Sequence, residues 1–317
     1  MTDTQNEAFK TPANKIRLFE HGAPGSQNLK LTRKYYTEDM PDGRVKHIVQ
    51  NITDPDIVPY IPDGIGNSTD RQRIPAVLII PGGAFRRLVY NFEGEDVAKW
   101  LNSMGIAAFV LECRLPSDEH DNAEDVPLID AMRAMRVIRG RAQEFGIDEA
   151  KIGVMGFSAG GFMAALLSTA YESDVYADYK YKDEYDKLSA RPDFAVCSYP
   201  VISIDDCIEA GKRYMSEEQV LERISDSKAK ILHKYNPDKL VRPDMPPVFI
   251  CETDDDRTTL SENSVGFYMA ARKAGVSAEL HIFRTGGHGY GCGDDFAQTG
   301  EWKVLFTKWI KSIGIIS

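Results

Sequence analysis

The chain has 317 residues, of which 43% are hydrophobic and 27% charged, with a formal net charge of −10. That balance excludes a disordered, collagen-like or fibrous protein. The acid excess without a basic stripe excludes a nucleic-acid partner, and the longest near-apolar stretch, Ala159–Ala170, falls short of the ~20 residues a membrane span needs.

Residues 1–75 are rich in Pro, Gly, Asp and Thr and carry short β-like runs, Val45–Ile52 and Ile57–Ile61. Pro41-Asp42-Gly43 reads as a hairpin turn, so this stretch is expected to form an antiparallel edge and not a separate domain. From residue 76 onward strands and helices alternate. Ala76–Ile80 is a continuous apolar run closed by Pro81-Gly82-Gly83, the mark of a buried strand. Val97, Trp100, Leu101 and Met104 recur at helical spacing, with Gly105 as the stop. Ile106–Leu111 is a second strand, 126–145 a helix, Lys151–Met155 a third strand and Ala159–Tyr171 a helix. Phe194–Tyr199, Val248–Cys251 and Ala278–Phe283 are further strands, with helices near 261–274 and 296–313. Such alternation builds a mostly parallel sheet with helices on both faces. Residues 205–246 are too long for a plain connection and are expected to form a small cap inserted into a single domain spanning 1–317.

Gly156-Phe157-Ser158-Ala159-Gly160 is G-x-S-x-G, directly after a strand and directly before a helix. This is the setting of a nucleophile elbow, a tight turn that lifts a serine above the sheet. A serine hydroxyl needs a base. His288, in the loop Thr285-Gly286-Gly287-His288-Gly289-Tyr290-Gly291 after the last strand, lies where the base falls in that chain order. His21, His47, His120, His233 and His281 are expected to be structural or superficial. The group that orients the imidazole should follow a strand between Ser158 and His288. Asp254, Asp255 and Asp256 follow the strand VFIC, and local reasoning leaves all three open. Backbone N–H groups for a tetrahedral oxyanion should come from Ala159 and from the loop Pro81-Gly82-Gly83-Ala84.

With these motifs the chain resembles the α/β-hydrolase superfamily. More narrowly, it is similar to bacterial acetylxylan-esterase-like carbohydrate esterases, related to the catalytic domains of prolyl-oligopeptidase-type enzymes. The segments that carry the resemblance are HGAPG (21–25), IPGGAF (80–85), WLNSMGIAAFVLECRLP (100–116), MGFSAGG (155–161), RPDFAVCSYPVIS (191–203), PPVFICETDDD (246–256), RKAGVSAELHIF (272–283) and GGHGYG (286–291). The resemblance implies an α/β-hydrolase fold, Ser158 as nucleophile, His288 as base and Asp255 as orienter. It further implies that Gly83, Ala84 and Ala159 form the oxyanion hole. Ala84 stands where relatives have a third glycine, Cys113 where they have an aromatic, and Arg257-Thr258-Thr259 where they carry a Val-Pro-like turn.

The expected activity is hydrolysis of short acyl esters, acetyl above all, on carbohydrate. It requires no metal and no cofactor, and the expected partner is an acetylated oligosaccharide, with no nucleic acid and no membrane. Self-association stays open. Two rivals are a peptidase or aminoacyl hydrolase of prolyl-oligopeptidase type and a non-catalytic binding protein on the same fold. Five scattered cysteines (Cys113, Cys197, Cys207, Cys251, Cys292) without a CxxC argue against a disulfide framework or a zinc site. The polar start MTDTQNEAFK shows no secretory signal. A reducing cytoplasm is the compartment expected.

Overall fold

The computed structural model describes residues 9–65, 73–214, 216, 218–220, 227–293 and 298–317. Residues 215, 217 and 221–226 of the expected cap, and 296–297 at the start of the expected last helix, lie outside them.

Eleven strands are described, in two sheets. The larger sheet has the order β1-β4-β7-β5-β8-β9-β10-β11. Its parallel body is β7 (Ala107–Glu112), β5 (Ile74–Ile80), β8 (Ile147–Phe157), β9 (Ala195–Ser198), β10 (Val248–Thr253) and β11 (Ala278–Phe283). All six residues of β7 and of β10 are buried. This is why Ala107–Leu111 and Val248–Cys251 within them read as unbroken apolar runs, without the alternation of a sheet that faces water on one side. β4 (Asp56–Tyr60) pairs antiparallel with β7, and β1 (Ile16–Arg17) with β4, forming the expected antiparallel edge. The predicted hairpin has another destination. β2 (Lys34–Asp39) and β3 (Val45–Gln50) pair in register and join β6 (Leu88–Val89) in a separate three-stranded sheet.

Helices α1 (Asp96–Ser103), α2 (Val126–Gly140), α3 (Ala142–Phe145), α4 (Ala159–Ala170), α7 (Ser261–Lys273) and α8 (Trp302–Ser312) accompany the parallel strands. The single helix expected over 126–145 is two, because Arg141 leaves helical geometry at φ −103°, ψ 17°. The expected cap contains α5 (Ile204–Tyr214) and α6 (Ser227–Lys234), between β9 and β10. The end of α6 is fastened to the turn before α2: Lys234 Nζ lies 2.7 Å from Asp125, and just past the helix the Tyr235 hydroxyl donates to Asp125 Oδ1 at 2.5 Å.

One buried ion pair explains two of the sequence blocks. Arg114 and Asp130 are both fully buried, with Nη2 to Oδ1 at 2.6 Å. Arg114 also donates to Ser26 Oγ at 2.8 Å and to the Pro24 carbonyl. The Arg-Leu-Pro segment after β7 thereby holds the N-terminal Gly-Ala-Pro-Gly segment against α2. Among the described residues no helix is long and apolar enough to cross a membrane.

Candidate active site

The carboxyl ends of β5, β8, β9, β10 and β11 bring five loops together. At the end of β8 the chain reverses into α4 through Ser158, whose backbone sits at φ 53°, ψ −118°. A non-glycine residue held there is strained, and the surrounding packing must enforce it. The flanking glycines show how. A Cβ on Gly156 would stand 1.9 Å from the Gly160 carbonyl oxygen, and one on Gly160 would stand 1.9 Å from the Ile80 carbonyl oxygen. The turn closes only because both side chains are absent. Ser158 is 7% exposed, and its amide donates to Ser198 O at 3.0 Å, tying the elbow to β9.

Ser158 Oγ lies 2.8 Å from His288 Nε2. His288 Nδ1 lies 2.6 Å from Asp256 Oδ2. The two ring nitrogens thus divide their work: with Nδ1 protonated toward the carboxylate, Nε2 is free to take the serine proton.

The aspartate expectation needs correction. Asp255 does not reach the imidazole. Its Oδ1 accepts the Gly286 and Gly287 amides at 2.9 and 2.8 Å, bracing the loop that carries His288. The cause is a turn closed by Asp256 N donating to Thr253 O at 3.4 Å. Asp254 and Asp255 occupy its exposed middle, and Asp256, 2% exposed, points inward. There Asp256 Oδ1 accepts the Thr258 and Thr259 amides at 2.7 and 2.9 Å, and Oδ2 accepts from Thr259 Oγ1 at 3.0 Å. Burial raises the Asp256 pKa, but the His288 contact and these amides outweigh it, and the net shift is downward. Asp256 is therefore held ionised. Its neighbour Glu252, buried first and facing the Asp256 charge second, is pushed well above the usual carboxylate range. The available sequence signal was local: an aspartate whose second and third followers, Thr258 and Thr259, turn their amides back onto it.

The loop after β5 passes directly over the elbow. A Cβ on Gly82 would meet Phe157 O at 2.5 Å and Ser158 Cβ at 2.9 Å. Gly83 (φ 137°), Ala84 (φ 59°) and Phe85 (φ 61°) then run through consecutive left-handed conformations. Among the described residues, the amides of Gly83, Ala84 and Ala159 have no protein acceptor. The Gly82 amide is engaged, donating to Glu93 Oε2 at 2.9 Å. Beside Gly82 and Ala159 is a small apolar cavity of ≈ 20 Å³, lined in part by Phe85, Leu115 and Met163. That is room for about one water-sized group.

The other histidines lie outside this cluster. His120 Nδ1 faces Ser26 Oγ at 3.0 Å, and burial followed by the Arg114 charge pushes its pKa down to about 4. His47 stacks on Phe9 and His21 packs against Tyr181. His281 Nε2 sits 2.8 Å from Glu279, and His233 lies on α6. Two residues of the site escaped sequence reasoning. Glu93 and Tyr199 are buried behind His288, with the Tyr199 hydroxyl donating to Glu93 Oε1 at 2.9 Å. The signal for Glu93 was an acid directly ahead of the apolar face of α1.

Comparison with known proteins gives the chain its family and fold. Over 240 residues the chain is 31% identical to an acetylxylan esterase of Xylanibacter ruminicola, covering 75% of this chain and 45% of that one. Over 227 residues it is 31% identical to endo-1,4-beta-xylanase B of Butyrivibrio fibrisolvens, covering 71% of this chain and 34% of that one. The chain thus spans less than half the length of these two relatives. The crystal structure of an acetyl ester-xyloside bifunctional hydrolase from Caldicellulosiruptor lactoaceticus is 33% identical, covers 100% of both chains and superimposes with a TM-score of 0.70. The fold is that of the α/β-hydrolases. The family model BD-FAE matches residues 65–270, which takes in the elbow, the loop after β5 and the aspartate turn, and the chain belongs to the BD-FAE family.

Proposed function

We propose that this chain is a serine esterase that removes short acyl groups, acetyl foremost, from hydroxyls of carbohydrate. The observation that carries the reading is the continuous relay Ser158 Oγ–His288 Nε2 and His288 Nδ1–Asp256 Oδ2, at 2.8 and 2.6 Å, set on a strained elbow. Ser158 attacks the ester carbonyl while His288 takes its proton, and the carbonyl oxygen becomes an oxyanion that the Gly83, Ala84 and Ala159 amides receive. His288 then returns the proton to the departing sugar alcohol. Water, deprotonated by the same imidazole, releases the acid from the acyl-enzyme. Asp256 stays ionised and stabilises the imidazolium that forms twice in the cycle. The chemistry needs no metal or cofactor.

The acyl preference is supported by the small apolar cavity beside Ala159, lined in part by Phe85, Leu115 and Met163. The carbohydrate side is supported by relatives named for acetylxylan and acetyl ester-xyloside hydrolysis. We read 205–246 as a cap that narrows the approach to Ser158, since the chain just past α6 is pinned to Asp125, two residues before the cavity-lining Pro127. This favours short acetylated xylo-oligosaccharides over polymer. The buried thiols of Cys113, Cys197, Cys251 and Cys292 support a reducing, cytoplasmic setting. The test is turnover of p-nitrophenyl acetate, acetylated xylo-oligosaccharides and polymeric acetylxylan by the wild type and Ser158→Ala. The expected result is Ser158-dependent release of acetate, faster from oligomer than polymer. Equal rates on both, or a preference for long acyl chains, would point to a general carboxylesterase.

A further inference from the structure

Glu93 lies in a π-helical turn, Asn91–Glu95, immediately before α1, and is 5% exposed. An interrupted helical turn of this kind costs stability and recurs at functional sites. Each oxygen of its carboxylate accepts one donor, and the two donors come from different loops. Oε2 accepts the Gly82 amide at 2.9 Å, and Oε1 accepts the Tyr199 hydroxyl at 2.9 Å. The Tyr199 oxygen in turn accepts the Gly291 amide at 3.1 Å. The Tyr199 ring packs edge-on against the His288 and Tyr290 rings, with centroids at 5.0 and 4.5 Å, and its backbone is held at φ 37°. A single chain of hydrogen bonds, Gly82–Glu93–Tyr199–Gly291, therefore joins the loop that carries the oxyanion amides to the loop that carries the imidazole. Neither loop belongs to a strand or helix at these positions, so backbone pairing alone does not fix their separation.

We infer that Glu93 is a positioning residue that locks the oxyanion loop and the histidine loop at one mutual distance, and that this lock serves the transition state more than the bound substrate. The inference rests on the esterase reading above. The reason for the asymmetry is geometric. Ground-state substrate can shift by a few tenths of an ångström without loss, whereas the tetrahedral oxygen must meet the Gly83 and Ala84 amides while His288 still reaches Ser158. Charge adds to it. Burial raises the Glu93 pKa, and the His288 charge is the strongest influence opposing that rise, so the carboxylate gains most when the imidazole is cationic. His288 is cationic only as the tetrahedral species forms and collapses.

The experiment uses the full chain with Glu93→Gln, Tyr199→Phe and Ser158→Ala, each checked for a native thermal transition. Three quantities are read: kcat and KM on p-nitrophenyl acetate, inhibition by methylboronic acid, and inhibition by acetate. On the boronic acid, the Ser158 oxygen adds to boron as His288 takes the serine proton, giving a tetrahedral anion that mimics the reaction's. In Glu93→Gln an NH2 group replaces one of the two accepting oxygens, so the donor that faced it meets another donor. The expected kcat loss is about 30- to 100-fold, with KM within about threefold. Boronate affinity should fall in parallel while acetate inhibition is unchanged. Should Glu93→Gln fail to fold, Tyr199→Phe cuts the same chain with Glu93 intact, and its kcat should fall about tenfold. A merely structural Glu93 would lower the melting temperature and weaken acetate and boronate alike. That result, or a folded variant with wild-type kcat, overturns the inference. A wild type no more active than Ser158→Ala overturns the esterase reading itself.

Discussion

The elbow at 156–160 and the acid turn at 252–259 perform adjacent jobs, yet they are built on opposite principles. In the elbow the constraints named are steric: Gly156 faces Gly160, and Gly160 faces the last residue of β5. One side-chain atom more at either position leaves no room for the turn. In the acid turn three identical side chains stand in a row, and the fold gives each a different partner. Asp254 continues the ladder to Phe283 through its amide, Asp255 braces the histidine loop, and Asp256 holds the imidazole. Steric necessity makes the first region recognisable from five letters. The second is decided by hydrogen bonding, through a turn and through the amides of Gly286, Gly287, Thr258 and Thr259.

That contrast can be broken at its steric end first. Gly160→Ala places a methyl group 1.9 Å from the Ile80 carbonyl. Overpacking ordinarily costs about 1–3 kcal/mol where neighbours can yield. A β-strand carbonyl cannot, so calorimetry should find no native transition, or the lowest melting temperature of any variant named here. A stable, active Gly160→Ala enzyme would show that the elbow is looser than its geometry indicates.

The acid turn predicts a split among chemically equal replacements. Asp256→Asn should lower kcat by about 10⁴, since a mis-set imidazole tautomer costs that much in related sites. Asp255→Asn should cost less than about tenfold, because the histidine loop keeps its Thr253–Gly287 hydrogen bond at 2.9 Å. Steady-state kinetics on one ester distinguishes them, and a reversed order would return the orienting role to Asp255.

A smaller effect concerns the acyl cavity. Moving from acetyl to butyryl p-nitrophenyl esters should reduce kcat/KM by about 10- to 100-fold. Met163→Ala, which enlarges the cavity wall, should recover part of that loss without helping acetyl. An unchanged chain-length profile would place the acyl group elsewhere.

The smallest effect is in stability against pH. The folded pKa of Asp256 lies below its ordinary value, so its stabilisation is complete above about pH 4 and fades as pH falls through the lower folded value. The melting-temperature gap between wild type and Asp256→Asn should accordingly be level from pH 8 to 5 and close below about 4. Glu252 behaves oppositely. Its raised value means that the protonated form is the one the fold favours, and that contribution is lost as pH rises. Glu252→Gln should therefore gain on the wild type between about pH 4 and 8. Parallel curves for both variants would remove the distinction between the two carboxyls.

Much of the fold could be read in advance for one physical reason. Strands buried on both faces carry their burial in unbroken apolar runs, Ala107–Leu111 and Val248–Cys251 among them. The β2–β3 hairpin was visible at Pro41-Asp42-Gly43, but its third strand, Leu88–Val89, is two residues long and is made a strand only by its partner. The site divides in the same way. Ser158 and His288 are marked by the glycines around them. Asp256 was misplaced by one because the Thr253–Asp256 turn reverses which side chain faces inward. For Glu93 an acid ahead of α1 is a weak signal, because the partners that give it a role, Gly82 and Tyr199, are 11 and 106 positions distant.

The claim on which the rest depends is that Ser158 is the nucleophile and His288 its base. A serine-directed fluorophosphonate, followed by mass spectrometry of the digested chain, tests it most directly. The account predicts one stoichiometric adduct on the Ser158 oxygen, acetyl-ester hydrolysis lost in proportion to labelling, and a labelling rate reduced by orders of magnitude in His288→Ala. Activity lost with the adduct on another residue, or labelling of Ser158 at an unchanged rate without His288, would contradict it.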